Sequence, residues 1–190
     1  GDSINLGEGA DLFAITATGA TAVVAGVTMT GVETVRLSDT TTTSATVNLA
    51  GVVGLTNIES FGSAAVASSF TNVGNMVDLS LANTSGTGTV TVAYTTGATT
   101  GTNAQNISLD NATGTGVTTI AGVETLALTA TGNSDIDLVV AAGTSLTMNA
   151  ADATTLTLTN ALNTSLATVT AAGSVGAVTL EFDYDLAEAS

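Results

Sequence analysis

Apolar residues recur in pairs along the second half of the chain. From about residue 124 onward, a pair with one residue between its members returns roughly every ten residues, and Gly, Asn, Asp, Thr or Ala fill the intervals. This i, i+2 spacing is typical of a strand with one buried face, and the intervening residues favour turns. The predicted core residues are Leu126, Leu128, Ile136, Leu138, Leu146, Met148, Leu156 and Leu158.

The ten-residue recurrence predicts an all-β fold, a right-handed parallel β-solenoid. Two strands per turn give rungs of roughly 20 residues, which lies in the range of known solenoids. One rung cannot bury its apolar face alone, so stacking must supply the core. No long segment has a 3.6-residue period, and no long helix is expected.

The first thirteen residues carry a second, nine-residue pattern. Asp2 and Asp11 are nine residues apart, and an apolar residue follows each of them by two positions. Gly7 and Gly9 precede Asp11 in the spacing G-x-G-x-D, although Leu6 stands where a full repeat has its first Gly. The segment resembles the calcium-binding nonapeptide of RTX proteins, which bacteria export by type I secretion. The alternative interpretation is an ordinary Gly/Asp turn between two strands.

The resemblance implies a Ca²⁺ site at the start of the chain. Glycines allow tight turns that aim backbone carbonyls inward, and Ca²⁺ takes six to eight oxygen ligands. Asp2 is expected to contribute from the neighbouring turn, as the tail of a preceding repeat in a longer repeat block. Residues 1–20 are then the end of a nonapeptide β-roll, and residues 21–190 form a continuous solenoid. The predicted ligands here are Asp2, Asn5, Gly7, Gly9 and Asp11.

Two further pairs of aspartates are candidate metal ligands. Asp135 and Asp137 alternate along one predicted strand, as do Asp183 and Asp185. Carboxylates at i and i+2 leave the same face about 7 Å apart, which is close enough to flank an ion. With a single Arg and no Lys in the chain, these pairs are either solvated or bound to metal.

The charge balance excludes several classes of partner and chemistry. The 190 residues carry a formal net charge of −15, with no His, Cys or Pro. Nucleic acids and anionic membranes both attract positive charge, so neither is an expected partner, and no apolar run is long enough to insert into a bilayer. The chain has no His as a general base and no Cys or Lys as a nucleophile. Its sixteen carboxylates could include a glycosidase acid/base pair, but no sequence feature singles one out, so no enzyme activity is expected.

A longer repeat links the two halves of the chain. Residues 26–37 and 116–128 share the sequence Gly-Val-Glu-Thr, and Asn57-Ile-Glu-Ser is a shorter copy. The glutamates are Glu33, Glu59 and Glu124; each either bridges a turn or contributes to a Ca²⁺ site. Together with the Thr-, Ala- and Gly-rich composition, this motif resembles the rungs of bacterial surface-layer proteins exported by type I systems.

The resemblance implies a secreted, structural protein at the bacterial cell surface. Such a protein self-associates into a lattice or filament through Ca²⁺ bridges and strand stacking, and contacts cell-surface polysaccharide through the rest of the protein. The alternative is a segment of a large RTX adhesin that binds a host surface or glycan. Scattered Thr-x-Thr pairs raise a third possibility, an ice-binding face, but they share no common spacing.

Overall fold

The structure, a computed structural model, consists of β-strands. It describes residues 2–18, 23–24, 27–41, 43–63, 67–85, 88–140, 142–159 and 166–183. Within these ranges there are nineteen strands and no helix, hence none that could span a membrane. The strands are β1 (Ser3–Asn5), β2 (Leu12–Ala17), β3 (Val23–Val24), β4 (Thr28–Thr30), β5 (Thr34–Asp39), β6 (Ala45–Asn48), β7 (Val52–Val53), β8 (Asn57–Phe61), β9 (Ser68–Val73), β10 (Asp78–Ala82), β11 (Val90–Tyr94), β12 (Ala104–Asp110), β13 (Thr113–Ile120), β14 (Thr125–Thr131), β15 (Ser134–Val140), β16 (Ser145–Ala150), β17 (Thr154–Thr159), β18 (Thr168–Thr170) and β19 (Val178–Asp183).

Two long sheets face each other, and the successive strands that form them belong to the two sheets in alternation along the chain. The first long sheet has the order β18-β16-β14-β12-β10-β8-β5-β2, and the second has β19-β17-β15-β13-β11-β9-β6-β3. A short third sheet, β1-β4-β7, closes one side of the first turns. The pairings within all three sheets are parallel, so the chain coils as a stack of turns. The predicted parallel β-solenoid is confirmed, and its right-handed sense stays a prediction.

The core is a column of small aliphatic side chains between the two long sheets. Burial alternates along the strands, so that in β14 Leu126 and Leu128 are buried while Ala127 and Thr129 are exposed. Each buried residue stacks on a buried one in the next turn, as Leu126 does on Leu146. The eight core residues predicted from the ten-residue recurrence are all buried.

Turn length varies along the stack. Leu126 pairs with Leu146, twenty residues on, as the recurrence predicts, whereas Leu79 pairs with Ile107, twenty-eight residues on. The extra residues lie in residues 95–103, a long connector from the second long sheet back to the first. Residues 2–18 stack on the following turn through β1 and β2. The predicted boundary near residue 20 falls on residues 19–22, outside the described part of the chain.

Substituting two glycines by alanine separates the cost of backbone conformation from the cost of a clash. Gly31 and Gly62 have nearly the same positive φ, 64° and 59°. A Cβ on Gly62 meets nothing within 4 Å, whereas a Cβ on Gly31 overlaps the backbone oxygen of Gly7 in the turn before. We expect Gly62→Ala to lower the free energy of unfolding by about 1 kcal/mol and Gly31→Ala by about 3 kcal/mol or more, measured by urea denaturation. Equal losses would contradict the close stacking of these two turns.

Candidate functional site

One corner of the solenoid is built the same way in turn after turn. The residue just before a strand of the first long sheet, here called the entry residue, uses its carbonyl to accept two backbone N–H groups from the next turn. Asp11 accepts from Glu33 at 3.2 Å and Thr34 at 3.0 Å. Asn103 accepts from Glu124 at 3.3 Å and Thr125 at 3.0 Å. The entry residues Glu33, Glu124 and Thr144 repeat this arrangement.

Glycines with positive φ form the turn that leads into this corner. They lie two residues before an entry residue, at positions that L-residues other than Gly, Asn or Asp rarely occupy. They are Gly9, Gly31, Gly54, Gly101 and Gly122, with φ between 64° and 141°. The corner therefore has a sequence signal, a glycine followed two positions later by Asp, Glu, Asn or Thr. Only its first copy, Gly9 and Asp11, is part of the nonapeptide pattern.

Glu33 and Glu124 link neighbouring turns through their side chains. The Oε2 atom of Glu33 accepts from the backbone N–H of Asp11 at 2.8 Å, and that of Glu124 accepts from Asn103 at 2.7 Å. Each Glu also donates its own N–H to the carbonyl of the same entry residue. The two glutamates thus bridge turns, which was one of the two roles expected from the sequence.

Glu59 does not belong to this corner, and its alignment with the other two glutamates is wrong. Thr34 pairs with Asn57, so the residue equivalent to Glu33 in the next turn is Thr56. Glu59 pairs with Arg36 in the middle of the first long sheet, where Arg36 Nε donates to Glu59 Oε2 at 2.7 Å. The guanidinium also lies 4.6 Å from the centre of the Phe61 ring. The one cationic side chain of the sequence is therefore already paired.

The Asn103 and Asp11 corners differ in one chemical group. Asn103 is buried, and its Nδ2 atom donates to the carbonyls of Gly101 at 3.2 Å and Gly122 at 3.3 Å. The equivalent glycines at the Asp11 corner are Gly9 and Gly31. The Asp11 carboxylate has no N–H group that could donate to the carbonyls of these glycines. The Asp11 corner therefore has a hydrogen-bond acceptor at the position where the Asn103 corner has a donor.

The Asp11 carboxylate is left unsatisfied by this exchange. Its Oδ2 atom is buried and has no hydrogen-bond partner among the described residues. It turns back toward Gly9, because a Cβ placed on that glycine would lie 3.6 Å from Oδ2. A buried acceptor without a donor costs about 1–3 kcal/mol. Since Ca²⁺ takes carboxylate and carbonyl oxygens, a bound Ca²⁺ fits where the amide lies in the other corner.

The other predicted ligands at the start of the chain are distributed around this corner. Gly7 and Gly9 have positive φ, and Asn5 Oδ1 accepts from the N–H of Gly7 at 3.1 Å. Asp2 precedes β1 in the same turn as Asp11, not in the neighbouring one, because β1 pairs with β4 and β2 pairs with β5. The carboxylate that stacks next to Asp11 belongs instead to Glu33.

One of the two predicted aspartate pairs lies on the outer face of the second long sheet. Asp135 and Asp137 point away from the core on β15, as their alternation predicts, and Asp137 is aligned with Thr157 and then Glu181. Strands lie about 4.8 Å apart, so the backbones of Asp137 and Glu181 are about 10 Å apart, with Thr157 between them. Asp183 ends β19, with no description of its side chain, and Asp185 lies outside the described residues. In the described parts of the chain no three acidic side chains converge on one metal position.

Tyr94, the last residue of β11, is expected to give the stability of the fold a pH dependence. Tyr94 donates to the carbonyl of Val77 at 3.2 Å and accepts from Gln105 Nε2 at 2.8 Å. Burial raises the pKa of Tyr94 to about 12, and the charge of Asp78 adds to this rise. The unfolded pKa is about 10, so stability from this group is complete below pH 10 and is lost as the pH rises toward 12.

We expect the free energy of unfolding to fall by about 0.5 kcal/mol between pH 10 and pH 11, after allowance for the partial exposure of Tyr94. Tyr94→Phe should remove this part of the pH dependence, since phenylalanine does not ionise. Urea denaturation of both proteins across this range measures it. The same fall in the Phe variant would assign the effect to other groups.

Comparison of the chain with models of protein families, with curated proteins and with solved structures found no match.

Proposed function

We propose that this chain is a structural building block of a calcium-stabilised assembly on the bacterial cell surface. The solenoid supplies a rigid stack, and Ca²⁺ joins successive turns at the Asp11 corner and helps to join copies of the chain. The extracellular setting rests on the resemblance of the first residues to RTX repeats and of the rungs to surface-layer proteins.

The observation that carries the proposal is the unsatisfied Asp11 carboxylate. The Oε2 atom of Glu33 accepts a hydrogen bond from the backbone N–H of Asp11, so the carboxylates of both residues lie at this corner. The described cationic side chain, Arg36, is paired with Glu59 instead. The Asn103 corner has the same backbone hydrogen bonds but needs no ion, because the Asn103 side-chain amide donates to the carbonyls of Gly101 and Gly122. A cation bound at the Asp11 corner would close it in the same way.

The charge of the chain favours the same mechanism for assembly. A net charge of −15 repels other copies, and Arg36 is engaged with Glu59 and Phe61. Contacts between oppositely charged patches are therefore not available to this chain. Divalent cations lower the repulsion within the stack and between copies, whereas low Ca²⁺ keeps the chains apart.

Light scattering and circular dichroism across an EGTA titration test the proposal. In Ca²⁺ we expect large particles with strong β signal, visible as sheets or filaments by negative-stain microscopy. Chelation should disperse them and lower the β signal, and equimolar Mg²⁺ should not restore them, because Mg²⁺ favours a smaller octahedral site.

Two results would overturn this function. Particle size and β content that do not respond to EGTA would make Ca²⁺ incidental. A chain that binds Ca²⁺ but stays monomeric at high concentration would exclude the building block and favour the adhesin segment.

A further inference from the structure

A second unusual site lies inside the stack, at the corner where the chain passes from the first long sheet to the second. The core buries only a few polar side chains, and this corner buries a carboxylate together with serine hydroxyl groups of the next turn. Asp39, at the end of β5, is 1% exposed, and Ser68, at the start of β9, is also 1% exposed. Ser60, in β8 of the same turn as Ser68, is fully buried, and its Oγ atom donates to Ser63 Oγ at 3.0 Å.

Only half of the Asp39 carboxylate is satisfied. Its Oδ1 atom accepts from the backbone N–H of Thr41 at 3.0 Å and from the Thr41 hydroxyl at 2.8 Å. Its Oδ2 atom is buried and has no hydrogen-bond partner in the described ranges, and the same holds for Ser68 Oγ. The neighbouring Ser63 Oγ accepts from the N–H of Asp39 at 3.2 Å and from Ser60 Oγ at 3.0 Å, and it is not a partner of Oδ2.

The Asp39 carboxylate also lacks a positively charged partner. Arg36 pairs with Glu59 on the outer face of the first long sheet, not in the core. A buried charge is costly unless it is paired or bound to a metal ion. A water molecule can satisfy Oδ2 as a donor but leaves the charge in place, and a divalent ion beside a single carboxylate leaves one positive charge buried.

We propose that this corner holds a buried monovalent cation of the Na⁺ or K⁺ type. Asp39 Oδ2 supplies the charge, and hydroxyl oxygens of the same corner, Ser68 Oγ first among them, supply neutral ligands. The site is separate from the Asp11 corner, and its ion ties the second turn to the third from inside the stack.

Thermal unfolding in different salts tests this site while saturating Ca²⁺ keeps the Asp11 corner constant. The wild-type chain is compared in NaCl, KCl and tetramethylammonium chloride at one ionic strength, since tetramethylammonium is too large for the core. We expect the unfolding temperature to be at least about 2 °C higher in NaCl or KCl. Asp39→Asn should abolish the difference, and Asp110→Asn, which removes an exposed carboxylate, should retain it.

A wild-type unfolding temperature that is the same in all three salts overturns the proposal, as does a difference that survives in Asp39→Asn. Should Asp39→Asn fail to fold, Ser68→Ala takes its place, with ²³Na NMR of the wild-type chain as the second measurement. A broadened ²³Na signal that K⁺ displaces and that weakens in Ser68→Ala supports the site. A signal unchanged by either contradicts it. None of these results depends on Ca²⁺ binding at Asp11.

Discussion

Replacing Leu128 by aspartate is expected to leave no folded protein. Leu128 is buried in β14 and stacks between Ile107 and Met148, so a carboxylate there has neither water nor a partner. Burial of an unpaired charge costs several kcal/mol even after relaxation, and removal of the leucine side chain adds about 2–5 kcal/mol. Together these losses match or exceed the roughly 5–15 kcal/mol by which a domain is stable. The measurement is circular dichroism with urea denaturation in Ca²⁺.

The adjacent residue provides the control. Thr129 is exposed on the outer face of β14, and neither of the residues aligned with it, Ser108 and Asn149, is acidic. Thr129→Asp adds the same charge to the same strand and should change the free energy of unfolding by no more than about 1 kcal/mol. A cooperative, wild-type-like transition in Leu128→Asp would mean that the strand presents its other face to the core.

Exchanging the side chains of the two corners is expected to exchange their dependence on Ca²⁺. Asp11→Asn gives the Asp11 corner the amide that Asn103 uses to bind Gly101 and Gly122. We expect this variant to be as stable in EGTA as the wild type is in Ca²⁺. The wild type in EGTA should be less stable by about 1–3 kcal/mol, the cost of the unsatisfied acceptor, measured by urea denaturation.

The reciprocal change, Asn103→Asp, should create a corner that needs an ion. This variant is expected to lose about 1–3 kcal/mol in EGTA and to recover most of it in Ca²⁺, because Glu124 lies beside Asn103 as Glu33 lies beside Asp11. Equal loss in both conditions would show that the second corner lacks the oxygens for an ion.

The sequence was sufficient to predict the fold because the signal is redundant. In a parallel solenoid each turn stacks the same kind of residue on the same position, so Leu126, Leu146 and their neighbours repeat one pattern many times. The predicted interval was least accurate between β10 and β12, where the connector at residues 95–103 lengthens the spacing of equivalent residues to twenty-eight.

The errors at Glu59 and Asp2 arose because residues were aligned by sequence motif rather than by strand register. Glu59 follows the same motif as Glu33, yet strand pairing places it opposite Arg36, three positions further along the turn. Asp2 and Asp11 are nine residues apart, but both lie in one turn, since β1 and β2 belong to different sheets. Strand register depends on contacts between residues more than twenty positions apart, which a local pattern does not contain.

Buried polar chemistry was the part that the sequence did not reveal. Asp39 stands in a run of threonines and has no motif around it, and Asn103 looks like an ordinary loop residue. Their roles follow from which backbone groups the fold brings to them. The Gly-x-Asp, Gly-x-Glu and Gly-x-Asn spacings at residues 9–11, 31–33 and 101–103 were the available signal for the shared corner.

Calorimetric titration of Ca²⁺ into the wild-type chain, Asp11→Asn and Asn103→Asp tests most directly whether Ca²⁺ joins the turns at the Asp11 corner. The account predicts that the wild type binds Ca²⁺, that Asp11→Asn loses one binding event, and that Asn103→Asp gains one. Identical titrations for the wild type and Asp11→Asn, or no Ca²⁺ binding by the wild type, would contradict it.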